Sequence, residues 1–311
     1  MQAIDRDLNY SEPASLKLKV VPPWYLNGWI AFPSGGAILA LLLSSLFFGL
    51  RYYTQRQSVR AYERTAAQEL QDANQVQMSL MPGVAPPIDG VEIAGKCVPA
   101  NTVSGDFFDY LEGKGKNDIG LVVADVTGKA MKGAMNAVMA DGVLRMAAKA
   151  QEQLSPASLM AELNDVLKGS MEWGMNITMV IGVIDTESKT LTLANAAHHA
   201  HPLLRREGLV QVLKTGGLPL GMKAGISYSE ERINLQSGDV LILMTDGIIE
   251  AKGNEENNYS ESGRLEQTIM KFTPDMPAEA MVDAVINDAM DFGGDRTQRD
   301  DDMTVVVAKI Q

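Results

Sequence analysis

Cysteine is almost missing from this chain. Cys97 is the only one in 311 residues, which excludes an internal disulfide framework and any cysteine-built zinc cluster. Histidine is equally scarce and not dispersed, since His198, His199 and His201 fall within four positions. Basic residues are outnumbered, 27 Lys and Arg against 39 Asp and Glu, for a net charge of −12. Such a surface repels nucleic-acid phosphates rather than neutralising them, so nucleic acid is excluded as a partner. A cysteine phosphatase is excluded as well, because VPANTVS follows Cys97 with no arginine six positions on; Cys97 reads as a small packing residue. The run TGKAMKG (Thr127–Gly133) lacks the G-x-x-x-x-G-K-[ST] spacing of a phosphate loop. It stays open between a plain tight turn and a helix start that offers amides to an anion. What is present, 46% hydrophobic and 21% charged residues, is globular in composition, and the length suits about two units.

Charge is missing altogether from Val20 to Leu50. Within that stretch Gly28 to Leu50 (GWIAFPSGGAILALLLSSLFFGL) is long enough to span a bilayer at about 1.5 Å per residue. Trp24, Tyr25 and Trp29 flank one end and Tyr52 and Tyr53 the other, where interfacial aromatics sit. Arg51, Arg56, Arg60 and Arg64 follow it, whereas Arg6, Lys17 and Lys19 before it are offset by Asp5, Asp7 and Glu12. The expectation is one transmembrane helix over 28–50, in the inner (cytoplasmic) membrane, with everything after it cytoplasmic. The competing readings are a signal peptide, a hairpin bent at Pro33-Ser34-Gly35-Gly36 and a buried core helix. A signal peptide should be shorter, begin nearer Met1 and end in small residues rather than Phe47-Phe48-Gly49-Leu50-Arg51. Residues 1–27 are too few for a domain and form a short extracytoplasmic segment. There Ser15–Val21 (SLKLKVV) alternates like one strand. That run is similar to the last strand of the β-sandwich preceding the membrane in some bacterial propeller-type sensors, which implies a truncated or misassigned start at Met1 and a missing sensor.

Glycine and proline are absent between Arg51 and Leu80. Val59, Ala66, Ala73 and Leu80 repeat at seven, with Tyr62, Glu69 and Val76 on the companion positions. The pattern predicts a helical linker over 51–81, either a solvated spacer or a parallel dimer coil over 54–80 that sets dimer geometry and passes on a signal. Met81-Pro82-Gly83 and Pro86-Pro87 end it, so the last domain is expected over 82–311.

Beyond residue 91 five apolar, β-branched runs read as strands: Ile119–Val126, Asn176–Asp185, Leu191–Ala197, Asp239–Asp246 and Thr304–Ile310. Helical patterns cover roughly 133–150, 156–168, 263–272 and 277–292, with Ser155-Pro156 as N-cap and first residue of one. Strands in hairpin-like pairs with helices in runs predict an α+β layered domain. The methionines Met131, Met135, Met139 and Met146 are assigned to its core, and Gly247–Gly263 to a flap or a solvated loop. His199 and His201 would share a strand face and could bind a transition metal, though no third ligand has suitable spacing.

The chemistry lies in the aspartates. Asp125 and Asp246 terminate apolar strands, Asp301 and Asp302 precede the last one, and Asp106 follows Ser104-Gly105. A carboxylate beside a buried strand costs several kcal/mol unless a cation or donors compensate it. Each alone fits a turn former or cap. Together, at like places far apart in sequence and with few imidazoles or thiols, they suit hard divalent ions such as Mg²⁺ or Mn²⁺.

SGDFFD (Ser104–Asp109), ADVTGKA (Ala124–Ala130), LANAAHHAHPLL (Leu193–Leu204), GLPLG (Gly217–Gly221), SGDVLILMTDGIIEA (Ser237–Ala251) and DDMTVVV (Asp301–Val307) occur in one order. In this the chain resembles the SpoIIE/RsbU branch of the PPM-type, protein phosphatase 2C-like serine/threonine phosphatases over about residues 70–311. The resemblance implies a β-sandwich flanked by helices with two Mn²⁺ or Mg²⁺ ions between the sheets. Carried over, it makes Asp106, Asp125, Asp246 and Asp301 the catalytic metal ligands, with the Val126 carbonyl as a further ligand. Asp302 orients its neighbour or holds an additional ion, and Asp109 matches the second acid of the first motif. Ser104, Ala130 and Ala197 depart from the glycines usual at those places. The implied activity is hydrolysis of phosphoserine or phosphothreonine on a protein, with a phosphorylated STAS-type anti-sigma-factor antagonist as partner. The alternative is a catalytically weak or inactive module of the same type that binds such a partner; a metal-dependent nuclease or small-molecule phosphatase lacks motif support.

Overall fold

The structure, a computed structural model, describes the chain except residues 1, 5, 8, 9, 14, 22, 27, 101, 116, 129, 130, 172, 173, 254–256 and 295–299, and except the side chains of 24, 28 and 30–34. The chain divides into two units, Met1–Ala66 and Ala67–Gln311.

In the first unit a single turn of 3₁₀ helix, Trp24–Leu26, precedes the start of helix α1 (Gly28–Leu80). This helix runs unbroken through positions 33–36, so the bend expected of a hairpin there is not formed. By length and composition it can cross a membrane, and residues 35–50 of its apolar stretch are all exposed, not packed as a core helix would be. Ser15–Val21 forms no strand. A strand needs a partner for its amide and carbonyl groups, and among the described residues nothing pairs with this run; Leu16, Leu18, Val20 and Val21 are all exposed.

The second unit stacks two antiparallel five-stranded sheets. One has the order β1-β10-β9-β6-β7, built from β1 (Val91–Val98), β10 (Met303–Ile310), β9 (Val240–Met244), β6 (Leu203–Arg206) and β7 (Leu209–Val212). The other, β2-β3-β4-β5-β8, comprises β2 (Phe107–Glu112), β3 (Asp118–Val126), β4 (Ile177–Asp185), β5 (Thr190–Ala196) and β8 (Glu231–Asn234). Helices α2 (Met131–Ala150) and α3 (Pro156–Ser170) pack on the second sheet, and α5 (Arg264–Met270) and α6 (Ala278–Gly293) on the first. The result is the helix-flanked sandwich that the motif resemblance implies.

Alternation along the strands assigns every side chain to a layer. In β3, Val122, Ala124 and Val126 join the cluster under α2 and α3, while Ile119, Leu121 and Val123 face the other sheet. In β9, Val240, Ile242 and Met244 lie under the helices and Leu241 and Leu243 between the sheets. In β10, Met303, Val305 and Val307 face outward and Val306, Ala308 and Ile310 inward. Each fully buried Leu or Ile of these layers contributes about 1.5–3 kcal/mol.

Helix α3 starts as expected, with the Ser155 hydroxyl accepting from the Ser158 amide and Pro156 in the first turn. Helix α2 corrects the methionine assignment. Its buried stripe is Gly133, Ala134, Ala137, Ala140, Leu144 and Ala148, all but Leu144 small residues that let the helix lie close to the sheet. Met135 and Met146 are 62% and 75% exposed and Met131 is exposed too; of the four methionines only Met139 packs against the core.

Candidate functional site

The same alternation that builds the core brings the aspartates together. Asp125 continues the inward series of Leu121 and Val123, and its register partner on β4 is Thr178. Asp106 stands two residues before the inward Phe108. Thr245 and Thr304 occupy inward positions at the ends of β9 and β10, and Asp246 follows Thr245 as the first residue of the short helix α4 (Asp246–Ile249). Asp106, Asp125, Asp246 and Asp301 therefore reach one end of the space between the sheets from four separate segments.

Asp106 is buried, and its Oδ2 accepts hydrogen bonds from the hydroxyls of Thr245 (2.6 Å) and Thr304 (2.8 Å). Burial holds its carboxyl well above the usual carboxylate range; the Thr245 hydroxyl opposes this, and repulsion from Asp125 and Asp302 adds to it. Burial, followed by repulsion from Asp246, Asp301 and Asp302, pushes Asp125 up to about 7. Asp301 is also raised, chiefly by burial; the Asp302 amide opposes the shift, and Asp246, Asp302 and Glu250 reinforce it. Among the described residues no lysine or arginine pairs with Asp106, Asp125, Asp246 or Asp301.

Asp302 is committed differently. Its Oδ1 accepts from the Ala100 amide (2.7 Å), and its Oδ2 from the Ser104 hydroxyl and the Gly105 amide (both 2.8 Å). It ties the loop carrying Asp106 to the start of β10. The Val126 carbonyl oxygen lies close to Gly105 and Gly133, where an added Cβ would be 3.0 and 3.7 Å from it. Gly247 is required: a side chain there would collide with the Asp302 carbonyl.

Ser104, a departure from the family pattern, is wholly buried. Its backbone is held at both ends by Gln77 of α1, whose Nε2 donates to the Ser104 carbonyl (2.6 Å) and whose Oε1 accepts from the Ser104 amide (3.0 Å). Ala197 adopts a left-handed φ of 56°, which accounts for glycine being usual there. Ala130 lies outside the described residues.

Asp109 points away from this cluster, because it shares the outward face of β2 with Phe107 and Leu111. It pairs with Arg145, whose NH2 group also donates to the Leu80 carbonyl at the end of α1 (2.8 Å). Burial and the neighbouring Asp141, opposed by Arg145, push Asp109 up to about 7. Cys97 stands beside Ser104, its sulfur 3.6 Å from the hydroxyl; burial, reinforced by Asp106, pushes the thiol up to about 12, which suits a packing residue.

His199 and His201 do not share a strand face, because β5 ends at Ala196 and both lie in the following turn. The histidine that matters is His198, which composition alone did not single out. It is 3% exposed and hydrogen-bonded to Thr178 and to the Met244 carbonyl. The excursion after Gly247 is not a free loop over its whole length. Tyr259 is fully buried, its hydroxyl donating to Asp288 (2.7 Å), while residues 254–256 lie outside the described part. A cleft of about 380 Å³ opens beside Asp301, lined among others by Glu250, Lys252, Asp300 and Met290.

The donor set can be tested against a divalent ion. Burial, reinforced by mutual repulsion, raises Asp106, Asp125 and Asp301, and no lysine or arginine among the described residues pairs with them, so the compensation these hard oxygens call for has the chemistry of Mg²⁺ or Mn²⁺. Among the described residues no three Asp, Glu, His or Cys side chains converge on one point. The donors fit such ions in kind, while a closed coordination shell is not formed.

Comparison with known proteins agrees with this fold. The chain is 26% identical over 218 residues to phosphoserine phosphatase RsbU of Bacillus subtilis (strain 168), an alignment covering 70% of this chain and 63% of that protein. The chain thus spans less than two thirds of that relative's length. Among solved structures it is similar to the SiaA-PP2C domain of Pseudomonas aeruginosa, with a TM-score of 0.68 at 21% identity, covering 81% of this chain and 99% of that one. It also resembles the catalytic domain of the serine/threonine protein phosphatase PstP in complex with two manganese ions, with a TM-score of 0.53 at 14% identity over 71% of this chain and 98% of that one. The family model for stage II sporulation protein E (SpoIIE) matches residues 115–311. With most of the chain under that model and a helix-flanked double sheet beneath it, the chain belongs to the SpoIIE family.

Proposed function

We propose that this chain is a metal-dependent phosphatase acting on phosphoserine or phosphothreonine of a protein in a bacterial signalling pathway. The observation that carries this reading is the placement of Asp106, Asp125, Asp246 and Asp301 at one end of the space between the sheets, with no lysine or arginine among the described residues paired to them. Those four carboxylates and the Val126 carbonyl would hold two Mn²⁺ or Mg²⁺ ions, as the likeness to a manganese-bound phosphatase structure suggests. Bound there, the ions would supply an activated water and offset charge on the phosphate in an in-line displacement. Thr245 and Thr304 fix Asp106 through Oδ2, and no donor among the described residues reaches its Oδ1. Asp302 acts as a positioning group, since three donors already occupy its oxygens.

The substrate is a phosphorylated STAS-type anti-sigma-factor antagonist, as the resemblance of the motifs implies, and the likeness to a phosphoserine phosphatase supports a phosphoserine target. Residues 28–50 anchor the protein in the inner membrane with the phosphatase domain (82–311) cytoplasmic, which the apolar, exposed α1 supports. Residues 54–80 form a homodimer seam; Val59, Tyr62 and Val76 are exposed on α1 and available for it. Equal activity with and without forced dimerisation would remove that last idea.

The second reading is a partner-binding module without turnover. It is favoured by the open coordination geometry and by Ser104 in place of the usual glycine. Phosphate release from a phosphoserine-bearing STAS-domain protein separates the two, using the full chain in detergent micelles with Mn²⁺ or with EDTA. Turnover with Mn²⁺ that Asp125→Ala abolishes is expected. Equal turnover in both proteins would sink the metal mechanism, and binding without release would favour the module.

A further inference from the structure

One side chain joins the two sheets beside the candidate centre. His198 Nε2 lies 2.9 Å from the carbonyl of Met244, the last residue of β9. Its Nδ1 lies 3.0 Å from the hydroxyl of Thr178 on β4, in the opposite sheet. A carbonyl only accepts, so Nε2 carries the proton, and Nδ1 accepts from the Thr178 hydroxyl. The neutral ring thus donates once and accepts once, and burial favours that neutral form.

The main chain under the ring is held as tightly. The His198 amide donates to Asn195 Oδ1 (2.7 Å), and Asn195 Nδ2 donates to the His198 carbonyl (3.2 Å). Ala197 accepts a left-handed backbone to make this turn. A residue held in so sparsely populated a conformation persists only where its surroundings impose it.

Both ends of the bridge abut metal-site residues. Met244 is followed by Thr245, which donates to Asp106, and then by Asp246. Thr178 is the register partner of Asp125. We propose that His198 is a positioning residue that sets the separation of the two sheets at this end, keeping Asp246 and the Thr245–Asp106 pair in register with Asp125 for cation binding. The inference rests on those aspartates being the metal ligands, and it assigns to the histidine neither substrate contact nor metal ligation.

The test is Mn²⁺ binding by isothermal titration calorimetry on the full chain in detergent micelles, with thermal unfolding of each metal-free protein alongside. His198→Phe keeps the ring volume and removes both hydrogen bonds; Thr178→Val removes one. Val285→Ala, on the buried face of α6, serves as a comparison for general destabilisation. Mn²⁺ affinity should fall tenfold or more in His198→Phe and several-fold in Thr178→Val, stay within twofold of wild type in Val285→Ala, and recover in part in His198→Gln. Affinity within twofold of wild type in both His198→Phe and Thr178→Val would overturn the proposal while leaving the metal reading intact. If His198→Phe does not fold, Thr178→Val alone decides. Absence of Mn²⁺ binding by the wild type would overturn both.

Discussion

Ala197 sits in a left-handed conformation that costs an ordinary L-residue about 1–2 kcal/mol. Ala197→Gly should therefore stabilise the protein by about 0.5–1 kcal/mol, the gain being reduced by the greater freedom of glycine in the unfolded chain. Urea unfolding of the two proteins measures the difference, and a loss of stability would show that the Ala197 methyl contributes more in packing than the backbone strain costs. Asp125 carries the opposite kind of burden, a half-buried charge among like charges. Asp125→Ala should leave metal-free stability undiminished while abolishing the rise in Tm on adding Mn²⁺. For wild type that rise corresponds to about 2.7 kcal/mol at a hundred times the dissociation constant. At this scale the motif aspartates were legible from their strand-end positions. His198 was not, because nothing in a run of three histidines says which one turns inward.

At the scale of elements, α1 does not simply stop at the domain. Its last turns dock through Gln77, which satisfies both backbone groups of the buried Ser104, and through the Leu80 carbonyl, which accepts from Arg145. Gln77→Ala leaves a buried amide and carbonyl unpaired, a cost of about 1–3 kcal/mol for each unsatisfied group. Amide hydrogen exchange over Ser104–Asp106 should quicken in that variant while exchange in β4 stays unchanged. A second joint ties α5 to α6, where Arg264, Tyr259 and Thr268 all donate to Asp288. Burial alone would raise the Asp288 carboxyl, but these donors outweigh it and bring it down to about 2. A depressed carboxyl stabilises the fold above its unfolded value near 4, and that stabilisation is lost as pH falls toward 2. The stability gap between wild type and Asp288→Asn should thus be full at pH 6 and narrow between pH 4 and pH 2; a gap independent of pH would refute the ionic origin. Long β-branched strands and capped helices were readable in the sequence. The short or half-exposed strands β1, β2, β6, β7 and β8 were not, because their pairing partners rather than their own pattern define them. The methionines of α2 misled for a related reason: close approach to a sheet selects small residues, and the large ones are left outside.

At the scale of the whole molecule, charge separates along the chain. The first 80 residues hold 7 basic and 6 acidic side chains, so the excess of acid belongs to the remainder. Between Asp246 and Asp302 there are 15 acids and 5 bases, and the segment begins and ends beside the cleft. Bound divalent cations would reverse the field that a phosphate meets there. Raising ionic strength should therefore weaken Mn²⁺ binding to the chain, by screening the acidic surface around the site. The sequence by itself determined the apolar span, the helical linker, the layered α+β class and the identity of the acidic side chains, because these follow from local periodicity and residue chemistry. Only the tertiary structure decided which acids meet. Strand alternation sends Asp106 and Asp125 between the sheets and turns Asp109 to the opposite face, and the pairing of β4 with β3 sets Thr178, and through it His198, beside them.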